Sequence, residues 1–344
     1  MVNLEELKSE IKRVLGEGKV KYFIGYRRST GGLPAAPFFM KETEDVERLI
    51  WDPTCIANLT RFLDDEKKRK ARQKEPDTRP IGIIVKGCDS RAINVLLQEE
   101  FIKREDVYIV GVSCEHSGMV DEKKLAAKMK GKAVAQVDFA GKDNFAVTAA
   151  DGEKTGIPAA EVLAGRCVEC KVDYPVVRDV TFGEELARSP GNAFKSVEKI
   201  EAMSVAERWD FWKEQFDKCI RCYACRSVCP MCYCDECVVD TINFAVTAQT
   251  GAKEKAQKIK WIEKSPATSE NFFYHMVRAM HLAGRCVDCG ECERVCPVDI
   301  PLRFLNKKME KEAKELFDYD VGMNPELPSL VSSFRDEDAE DFIR

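Results

Sequence analysis

The sequence has little histidine, no long apolar run and no excess of basic residues. Its three histidines, His116, His275 and His281, give little support to mixed cysteine–histidine zinc sites. No run of about 18 apolar residues is present, so we expect no membrane span. The start, MVNLEELKSE, lacks the apolar core of a signal peptide, and a net charge of −5 is no signature of nucleic-acid binding. These absences favour a cytoplasmic protein, and 344 residues suggest two or three domains.

Cysteine, in contrast, is abundant and unevenly distributed. The chain has 16 cysteines, and seven of them lie within the nineteen residues 219–237, CIRCYACRSVCPMCYCDEC. Disulfides are typical of small secreted proteins, whereas cytosolic thiols stay reduced. Two-residue spacings in a long chain therefore indicate thiolate ligands. All-thiolate sites suit iron–sulfur clusters or zinc.

Two runs of four cysteines have the spacing of bacterial ferredoxins. The pattern Cys-x2-Cys-x2-Cys-x3-Cys-Pro begins at residue 219 and again at residue 286. Its two-residue gaps let one short loop present three thiolates to a cubane, and in dicluster ferredoxins the fourth cysteine binds the other cluster. Zinc knuckles are the alternative, but zinc has no need of a doubled run that ends in Cys-Pro. The rule predicts two 4Fe-4S clusters, one held by Cys219, Cys222, Cys225 and Cys296, the other by Cys286, Cys289, Cys292 and Cys229.

Helical signals precede both runs. Ser204 and Glu207 form a possible capping box before the first run, and Ser269 is a candidate cap before the second, with Gly284 at the end of that helix. The arrangement over about residues 204–306 resembles the α-helical ferredoxin domain of fumarate reductase iron–sulfur subunits and heterodisulfide reductase C-type subunits. We expect the apolar residues at helical spacing to be core: Val205, Trp209, Trp212, Phe216, Phe272, Phe273, Met276, Val277 and Met280.

The first half of the chain contains a readable βαβ unit. IGIIV (81–85) is a short apolar run, RAINVLLQEEF has helical periodicity, and VYIVGV (107–112) is a second apolar run. Strand, helix and strand at this spacing predict parallel strands in an α/β domain. Cys88 and Cys114 follow the two strands and so lie at the carboxyl edge of the sheet, where open α/β sheets bind ligands. Each is either a ligand or a small buried hydrophobe.

The first half also resembles a known family over about residues 20–185. The features are KGCDSRAI with Cys88, VGVSC with Cys114, and Cys167 and Cys170 of GRCVEC, followed by Asp173 and DVTFG. They resemble the flavin domain of the β subunits of deazaflavin-reducing hydrogenases and formate dehydrogenases. The resemblance implies a third 4Fe-4S cluster, held by Cys88, Cys114, Cys167 and Cys170, and FAD as a further cofactor.

Four cysteines and three basic residues remain. Cys55, Cys232, Cys234 and Cys237 either form a fourth site, with Cys55 reaching in from the first domain, or are packing and partial-site residues. Arg27 and Arg28, in GYRRSTGGLPAAPF, either bind a flavin pyrophosphate or lie in a plain surface loop. Lys86 either pairs with an anionic flavin or cluster or is solvated.

These features predict an α/β iron–sulfur and flavin domain (1–200), an all-α dicluster ferredoxin domain (201–306) and a charged tail (307–344). We expect an electron-transfer subunit of a larger redox complex. Its partners would be a heterodisulfide reductase A-like flavoprotein, or the catalytic subunit of a hydrogenase or formate dehydrogenase. The alternative is an FAD-dependent oxidoreductase that reduces a soluble carrier, such as deazaflavin or NAD. No GxGxxG fingerprint is present, and the further domain that follows Cys-x2-Cys in the family has no counterpart in this sequence, which favours electron transfer.

Overall fold

The chain divides into two compact units in a computed structural model that describes residues 2–114, 118–141, 143–172, 174–185, 192–234, 237, 239 and 265–333. Unit 1 consists of the described residues within 1–193 and 320–335. Unit 2 consists of those within 194–319. The chain therefore leaves unit 1 after residue 193 and returns to it at residue 320.

Unit 1 combines helices with two sheets. In chain order its elements are α1 (Leu4–Gly16), β1 (Phe23–Arg27), β2 (Ala36–Met40), α2 (Arg61–Ala71), β3 (Ile81–Val85), α3 (Gly87–Gln98), β4 (Val107–Val112), α4 (Glu122–Lys128), β5 (Val134–Phe139), β6 (Asn144–Ala149), β7 (Lys154–Pro158), α5 (Ala159–Val162), α6 (Gly165–Val168) and β8 (Val180–Phe182), with 3-10 turns at Thr43–Arg48 and Arg104–Asp106.

The central sheet confirms the predicted α/β domain with parallel strands. Its strand order is β2-β1-β3-β4-β8, in which β2 runs antiparallel to β1 and the other pairs are parallel. All five residues of β3 are buried, as a strand covered on both faces requires. The predicted βαβ unit corresponds to β3, α3 and β4. Because β3 and β4 are parallel, the residues that follow them lie at one edge of the sheet.

A second sheet, with strand order β5-β6-β7, is antiparallel. Its buried side chains, among them Val137, Phe145 and Ile157, pack with Leu125 of α4 and Val162 of α5. This small layer has its own apolar core.

The segment after residue 306 differs from the predicted charged tail. Residues up to 317 form a helix, and residues 321–327 bond to side chains of α3. Asn94 and Arg91 donate to the carbonyl oxygens of Gly322 (2.9 Å) and Val321 (2.9 Å), and Gln98 donates to the carbonyl oxygen of Leu327 (2.7 Å). These contacts are made to backbone atoms, which leave no pattern in the amino-acid sequence. Residues 334–344, which include the acidic run RDEDAED, lie outside the described part of the chain.

Unit 2 is helical in its described residues. Its elements are α7 (Lys195–Glu201), α8 (Val205–Asp217), α9 (Ala224–Ser227), α10 (Thr268–His281), α11 (Glu291–Arg294) and α12 (Leu302–Phe317). The predicted capping box of α8 is present, since the Glu207 N–H donates to Ser204 Oγ and the Ser204 N–H donates to Glu207. Among the described residues of either unit, no helix has the length and apolar character needed to cross a bilayer.

Candidate metal centres

Four cysteines of unit 1 converge at the carboxyl edge of the central sheet. Cys88 lies in the first turn of α3, Cys114 lies two residues beyond β4, Cys167 belongs to α6, and Cys170 follows α6. Burial, and then the neighbouring thiols of Cys170 and Cys167, raise the pKa of Cys114 to about 12. Cys114 in turn contributes to the raised pKa of Cys88. These four thiols are the set that the family resemblance implied for one cluster.

Two glycines permit this convergence. A Cβ at Gly87 would lie 2.3 Å from the carbonyl oxygen of Val172, so glycine lets the start of α3 approach the loop that follows Cys170. Gly118 has φ +78°, and a Cβ there would lie 2.8 Å from Cys167 Cβ. Both positions therefore require glycine if the four cysteines are to meet.

Backbone N–H groups already point at two of these sulfurs. The Met119 N–H donates to Cys167 Sγ (3.4 Å), and the Val172 N–H donates to Cys170 Sγ (3.4 Å). Thiolate ligands of iron–sulfur clusters accept such bonds, which tune the cluster potential. The donor set and the cradle formed by the two glycines thus fit a 4Fe-4S cluster.

Lys86 and Arg166 are buried cations beside this site. Lys86 is 1% exposed, so the interpretation of a solvated lysine is wrong. Its Nζ pairs with Asp89 Oδ2 (2.8 Å) and donates to the Tyr26 hydroxyl and to the carbonyl oxygen of Ala57 (2.9 Å). Burial lowers the pKa of Lys86, but Asp89 and Tyr26 raise it well above its ordinary value. The three donors of Lys86 are thus used by protein atoms, while its charge reaches the cysteine site.

Arg27 and Arg28 lie at the β1–β2 connection. Arg27 ends β1 and its guanidinium lies 5.6 Å from the centre of the Phe38 ring. Arg28 pairs with Asp52 (Nη2 to Oδ2, 3.3 Å) and keeps 45% of its side chain exposed. Residues 28–35 form a loop, as one of the two interpretations expected, but the residues on either side of it are the strands of a hairpin, with residues 36–40 in β2. A flavin pyrophosphate at these arginines remains a prediction.

The four remaining cysteines belong to different units. Cys55 is buried in unit 1, where it accepts from the Asp52 N–H (3.5 Å) and donates to the carbonyl oxygen of Ile50 (3.8 Å). The others lie in unit 2: Cys234 is exposed, Cys237 packs on the core of that unit, and Cys232 has a pKa lowered to about 5, chiefly by its hydrogen bond with Cys229. All described contacts of Cys55 lie within unit 1, so a fourth site that includes it remains a prediction.

The two ferredoxin runs of unit 2 share one backbone conformation. Positive φ occurs at the second residue after the first cysteine of each run, at Arg221 (55°) and Asp288 (55°). It recurs just after the second cysteine, at Tyr223 (59°) and Gly290 (69°), which precede α9 and α11. Left-handed residues at matched positions curl both loops in the same way. The sequence repeat is therefore also a structural repeat.

Each group of sulfurs in unit 2 mixes the two runs. One pocket is lined by Cys286, Cys289 and Cys292 of the second run together with Cys229 of the first. Cys219 and Cys225 of the first run are buried in one cluster with Cys296 of the second, and the partly buried Cys292 also packs against it. Cys222 lies on the first loop and is exposed. This grouping follows the crossed pattern that the dicluster rule predicts.

A single metal ion and a cubane require different spacings of their thiolate ligands. In the described parts of the chain, no three Cys, His, Asp or Glu side chains surround a point closely enough to hold one metal ion. Sulfurs at a tetrahedral zinc stand about 3.8 Å apart, given a Zn–S distance of about 2.3 Å. Sulfurs around a cubane stand farther apart, because each binds a different iron atom.

Polar residues on the inner face of α10 contact the sulfurs, and sequence reasoning missed them. His275 Nε2 lies 3.3 Å from Cys219 Sγ, and Arg278 Nη1 donates to Cys225 Sγ (3.3 Å). Asn271 donates to the carbonyl oxygen of Cys219 (3.0 Å). The signal in the sequence that could have indicated these contacts is the pair His275 and Arg278, which lie three residues apart on the helix before the second cysteine run.

The apolar stripe predicted to be the core of α10 lies largely on its outer face. Phe273, Met276 and Met280 are 52%, 48% and 61% exposed, so that prediction is wrong for them. It is also wrong for Val205 and Trp209 of α8, which are exposed, whereas Phe216 is buried as expected. The reason is that thiols and backbone carbonyls of the first run attract the polar face of α10, because buried polar groups need partners. Helix α10 begins at Thr268 with Ala267 as its cap, so Ser269 is not the cap.

The second run has acidic neighbours. Asp288 accepts from Arg303 (2.6 Å) and Lys307 (2.6 Å), and Glu310 pairs with Lys307 (3.2 Å). Burial, followed by Glu310 and Asp288, raises the pKa of the Cys286 thiol. The charges of Lys307 and Glu310 are thus buried in ion pairs.

Comparison with known proteins finds a match for a region of each unit. Residues 78–206 match the family described as the C terminus of the beta subunit of coenzyme F420 hydrogenase/dehydrogenase, and residues 215–300 match a 4Fe-4S dicluster domain. The F420-dependent formate dehydrogenase subunit β of Methanocaldococcus jannaschii is 23% identical over 81% of this chain and 80% of its own. The F420-dependent formate dehydrogenase 1 subunit β of Methanococcus maripaludis is 26% identical over 93% of this chain and 91% of its own.

Among solved structures, a chain of the F420-reducing [NiFe] hydrogenase complex from Methanosarcina barkeri matches 48% of this chain and 58% of its own, with 16% identity. Its TM-score of 0.38 does not establish a shared fold. The suspected resemblance is nevertheless confirmed by the matching domains and relatives. The chain thus combines a region that matches the coenzyme F420 hydrogenase/dehydrogenase β-subunit family with a region that matches a 4Fe-4S dicluster domain, as expected of an iron–sulfur electron-transfer subunit.

Proposed function

We propose that this chain carries three 4Fe-4S clusters and passes electrons between other subunits of a redox complex in the cytoplasm. Cys88, Cys114, Cys167 and Cys170 would hold the cluster of unit 1, and the two crossed sets would hold those of an all-α ferredoxin domain in unit 2. A bound 4Fe-4S cluster supplies one-electron transfer. The protein residues supply the thiolates, the N–H donors to sulfur and the burial that keeps water away.

The observation that carries the proposal is the pocket in which Cys229 joins Cys286, Cys289 and Cys292. A cysteine 57 positions away in the sequence completes a set of four only if the two runs fold around a shared pair of centres. Arg278 and backbone N–H groups nearby favour the thiolate forms that ligation needs.

The names of the relatives suggest which complex is involved. Both curated relatives are β subunits of F420-dependent formate dehydrogenases. We infer that the partner of this chain is the catalytic subunit of a formate dehydrogenase or hydrogenase. A heterodisulfide reductase A-like flavoprotein is a further candidate partner, because the helical ferredoxin arrangement resembles the subunits that accompany it.

Iron analysis of paired cysteine variants tests the ligand sets. Anaerobically purified protein should contain about 12 iron atoms and as many sulfides, as three cubanes require. If the ligation is crossed, Cys219→Ala with Cys296→Ala removes one cluster and leaves about 8 iron atoms, whereas Cys286→Ala with Cys296→Ala removes two and leaves about 4. The opposite order would mean that each run holds its own cluster. Cys55→Ala is the control and should keep all the iron.

A flavoenzyme is the second candidate function. The observation that favours a flavoenzyme is the segment 51–60, which is buried throughout but forms no helix or strand. It contacts Lys86 through the carbonyl oxygen of Ala57. Trp51 Nε1 and Asn58 Nδ2 are buried there without a hydrogen-bond partner, as expected of atoms that contact a bound cofactor. A flavin assay on the same preparation decides the matter, since protein free of FAD cannot reduce deazaflavin or NAD by this route.

A further inference from the structure

The inner face of α10 places a buried cation against the first ferredoxin run. Arg278 is 4% exposed. Its Nη1 donates to Cys225 Sγ (3.3 Å), and its Nη2 donates to the carbonyl oxygen of Cys225 (3.1 Å) and lies 3.9 Å from Cys232 Sγ. Within the described part of the chain, Arg278 forms no ion pair with a carboxylate. Its charge is therefore directed at sulfur.

Two uncharged polar groups add to this environment. His275 Nε2 lies 3.3 Å from Cys219 Sγ, and the Tyr274 hydroxyl lies 3.6 Å from Cys225 Sγ. The His275 ring is held in place by stacking on Phe216, with ring centres 4.8 Å apart and planes 12° apart. Two thiols of the first run thus face a cation and two ring groups from a single helix.

The second run has a different charge environment. Among the described residues, Arg303 and Lys307 are paired with the carboxylates of Asp288 and Glu310, and Arg294 is paired with Glu291. The side-chain donor to its sulfur is neutral, since Asn306 Nδ2 donates to Cys292 Sγ (3.5 Å). In the described part of the chain, these three cations beside the second run are therefore neutralised by carboxylates, whereas Arg278 beside the first run is not.

We propose that Arg278 is a positioning residue that holds the reduction potential of the first-run cluster above that of the second-run cluster. This rests on the proposed function, because it requires both clusters to be bound. Reduction adds a negative charge, which a nearby cation and hydrogen bonds to sulfur stabilise, and low solvent exposure strengthens the effect. The charge of Arg278 also reaches Cys229 and Cys292, two proposed ligands of the second-run cluster, but no hydrogen bond to either is described, so its effect there is smaller. An electron shared by the two clusters would thus rest on the first.

Redox titration of Arg278 variants, followed by electron paramagnetic resonance, tests this proposal. In Arg278→Gln, the ratio of reduced to oxidised first-run cluster at a fixed potential should fall at least tenfold, which is about 59 mV for a one-electron couple. The other ferredoxin cluster should move less. Arg278→Lys keeps the charge and should show a smaller fall. Lys213→Gln removes an exposed charge from α8 and should change neither potential.

The cysteine pairs assign the signals, since the first-run signal is the one that disappears in Cys219→Ala with Cys296→Ala. An Arg278→Gln protein with full iron content and both potentials unchanged, or both lowered equally, would overturn the inference. If Arg278→Gln loses iron, Arg278→Lys decides: full iron with a lowered potential supports the inference, and loss of iron there too overturns it. Wild-type protein without ferredoxin iron would instead refute the proposed function itself.

Discussion

Replacement of Lys86 by methionine should destabilise unit 1 severely. Lys86 and Asp89 form an ion pair at 2.8 Å with 1% and 0% of their side chains exposed. Methionine fills much of the same volume but leaves the carboxylate of Asp89 buried without its cation. It also removes the hydrogen bond that the Tyr26 hydroxyl accepts and one of the two that the carbonyl oxygen of Ala57 accepts, which leaves that oxygen only the bond from the Tyr26 hydroxyl (2.6 Å).

The magnitude follows from the burial of the pair. Removal of one partner of a buried ion pair costs about 3–5 kcal/mol. In a domain of 150–250 residues, each kcal/mol lowers the melting temperature by about 2–4 °C. We therefore expect the melting temperature of unit 1 to fall by roughly 6–20 °C in Lys86→Met.

A double-mutant cycle separates the ion pair from general damage to the core. Thermal unfolding is followed by circular dichroism, without oxygen and at one scan rate, for Lys86→Met, Asp89→Asn and the double variant. Because residues in contact couple by about 0.5–3 kcal/mol, the double variant should lose less than the two single losses combined. Strictly additive losses would refute the reasoning. Lys132→Met, which breaks an exposed pair with Glu153, is the control and should leave the melting temperature unchanged.

Three further perturbations have defined outcomes. Gly118→Ala adds a Cβ 2.8 Å from Cys167 Cβ at φ +78°, so iron content should fall by about 4 atoms per chain, and unchanged iron would contradict the unit 1 site. Burial raises the pKa of Glu66, but hydrogen bonds from three neighbouring side chains lower it below its ordinary 4.5. Its ion pairs thus stabilise the fold above pH 4.5, and this stabilisation is lost as the pH falls through the pKa of Glu66 in the folded protein. Glu66→Gln should therefore have a lower melting temperature than wild type at pH 7, and the difference should shrink in acid. Thermal melts across about pH 3–7 measure this difference. Asn94→Ala removes the 2.9 Å hydrogen bond to the carbonyl oxygen of Gly322. Because a hydrogen bond contributes a net stabilisation of about 1 kcal/mol, the melting temperature of unit 1 should fall by a few degrees. An unchanged melting temperature would show that this hydrogen bond does not stabilise α3.

The sequence predicts those parts of the fold whose signals are local. The strands β3 and β4 are unbroken apolar runs, and α3 begins where Gly87 and Asp89 allow a capped turn, so the βαβ unit is found at its expected place. The hairpin of β1 and β2 is missed because its strands are short and interrupted by arginine, glycine and proline. Propensity alone assigns such residues to loops.

The residues of the candidate metal centres can be predicted from the sequence only where their signals are local. Cysteine spacing places the ligands of the ferredoxin runs, because the loop geometry is encoded in two-residue gaps. Arg278 is missed because helical periodicity assumes that apolar residues face inward, whereas α10 turns its polar face towards thiols and carbonyls. That reversal depends on partners about 50 residues away in the chain, which no local window contains.

The return of the chain to unit 1 makes unit 2 an insertion with two exits. If a protease cuts the link near residue 193, residues 321–327 remain hydrogen-bonded to Arg91, Asn94 and Gln98 of unit 1. If it cuts the link near residue 320, the link near residue 193 remains intact. A single proteolytic cut in either link therefore leaves the two units connected through the other link.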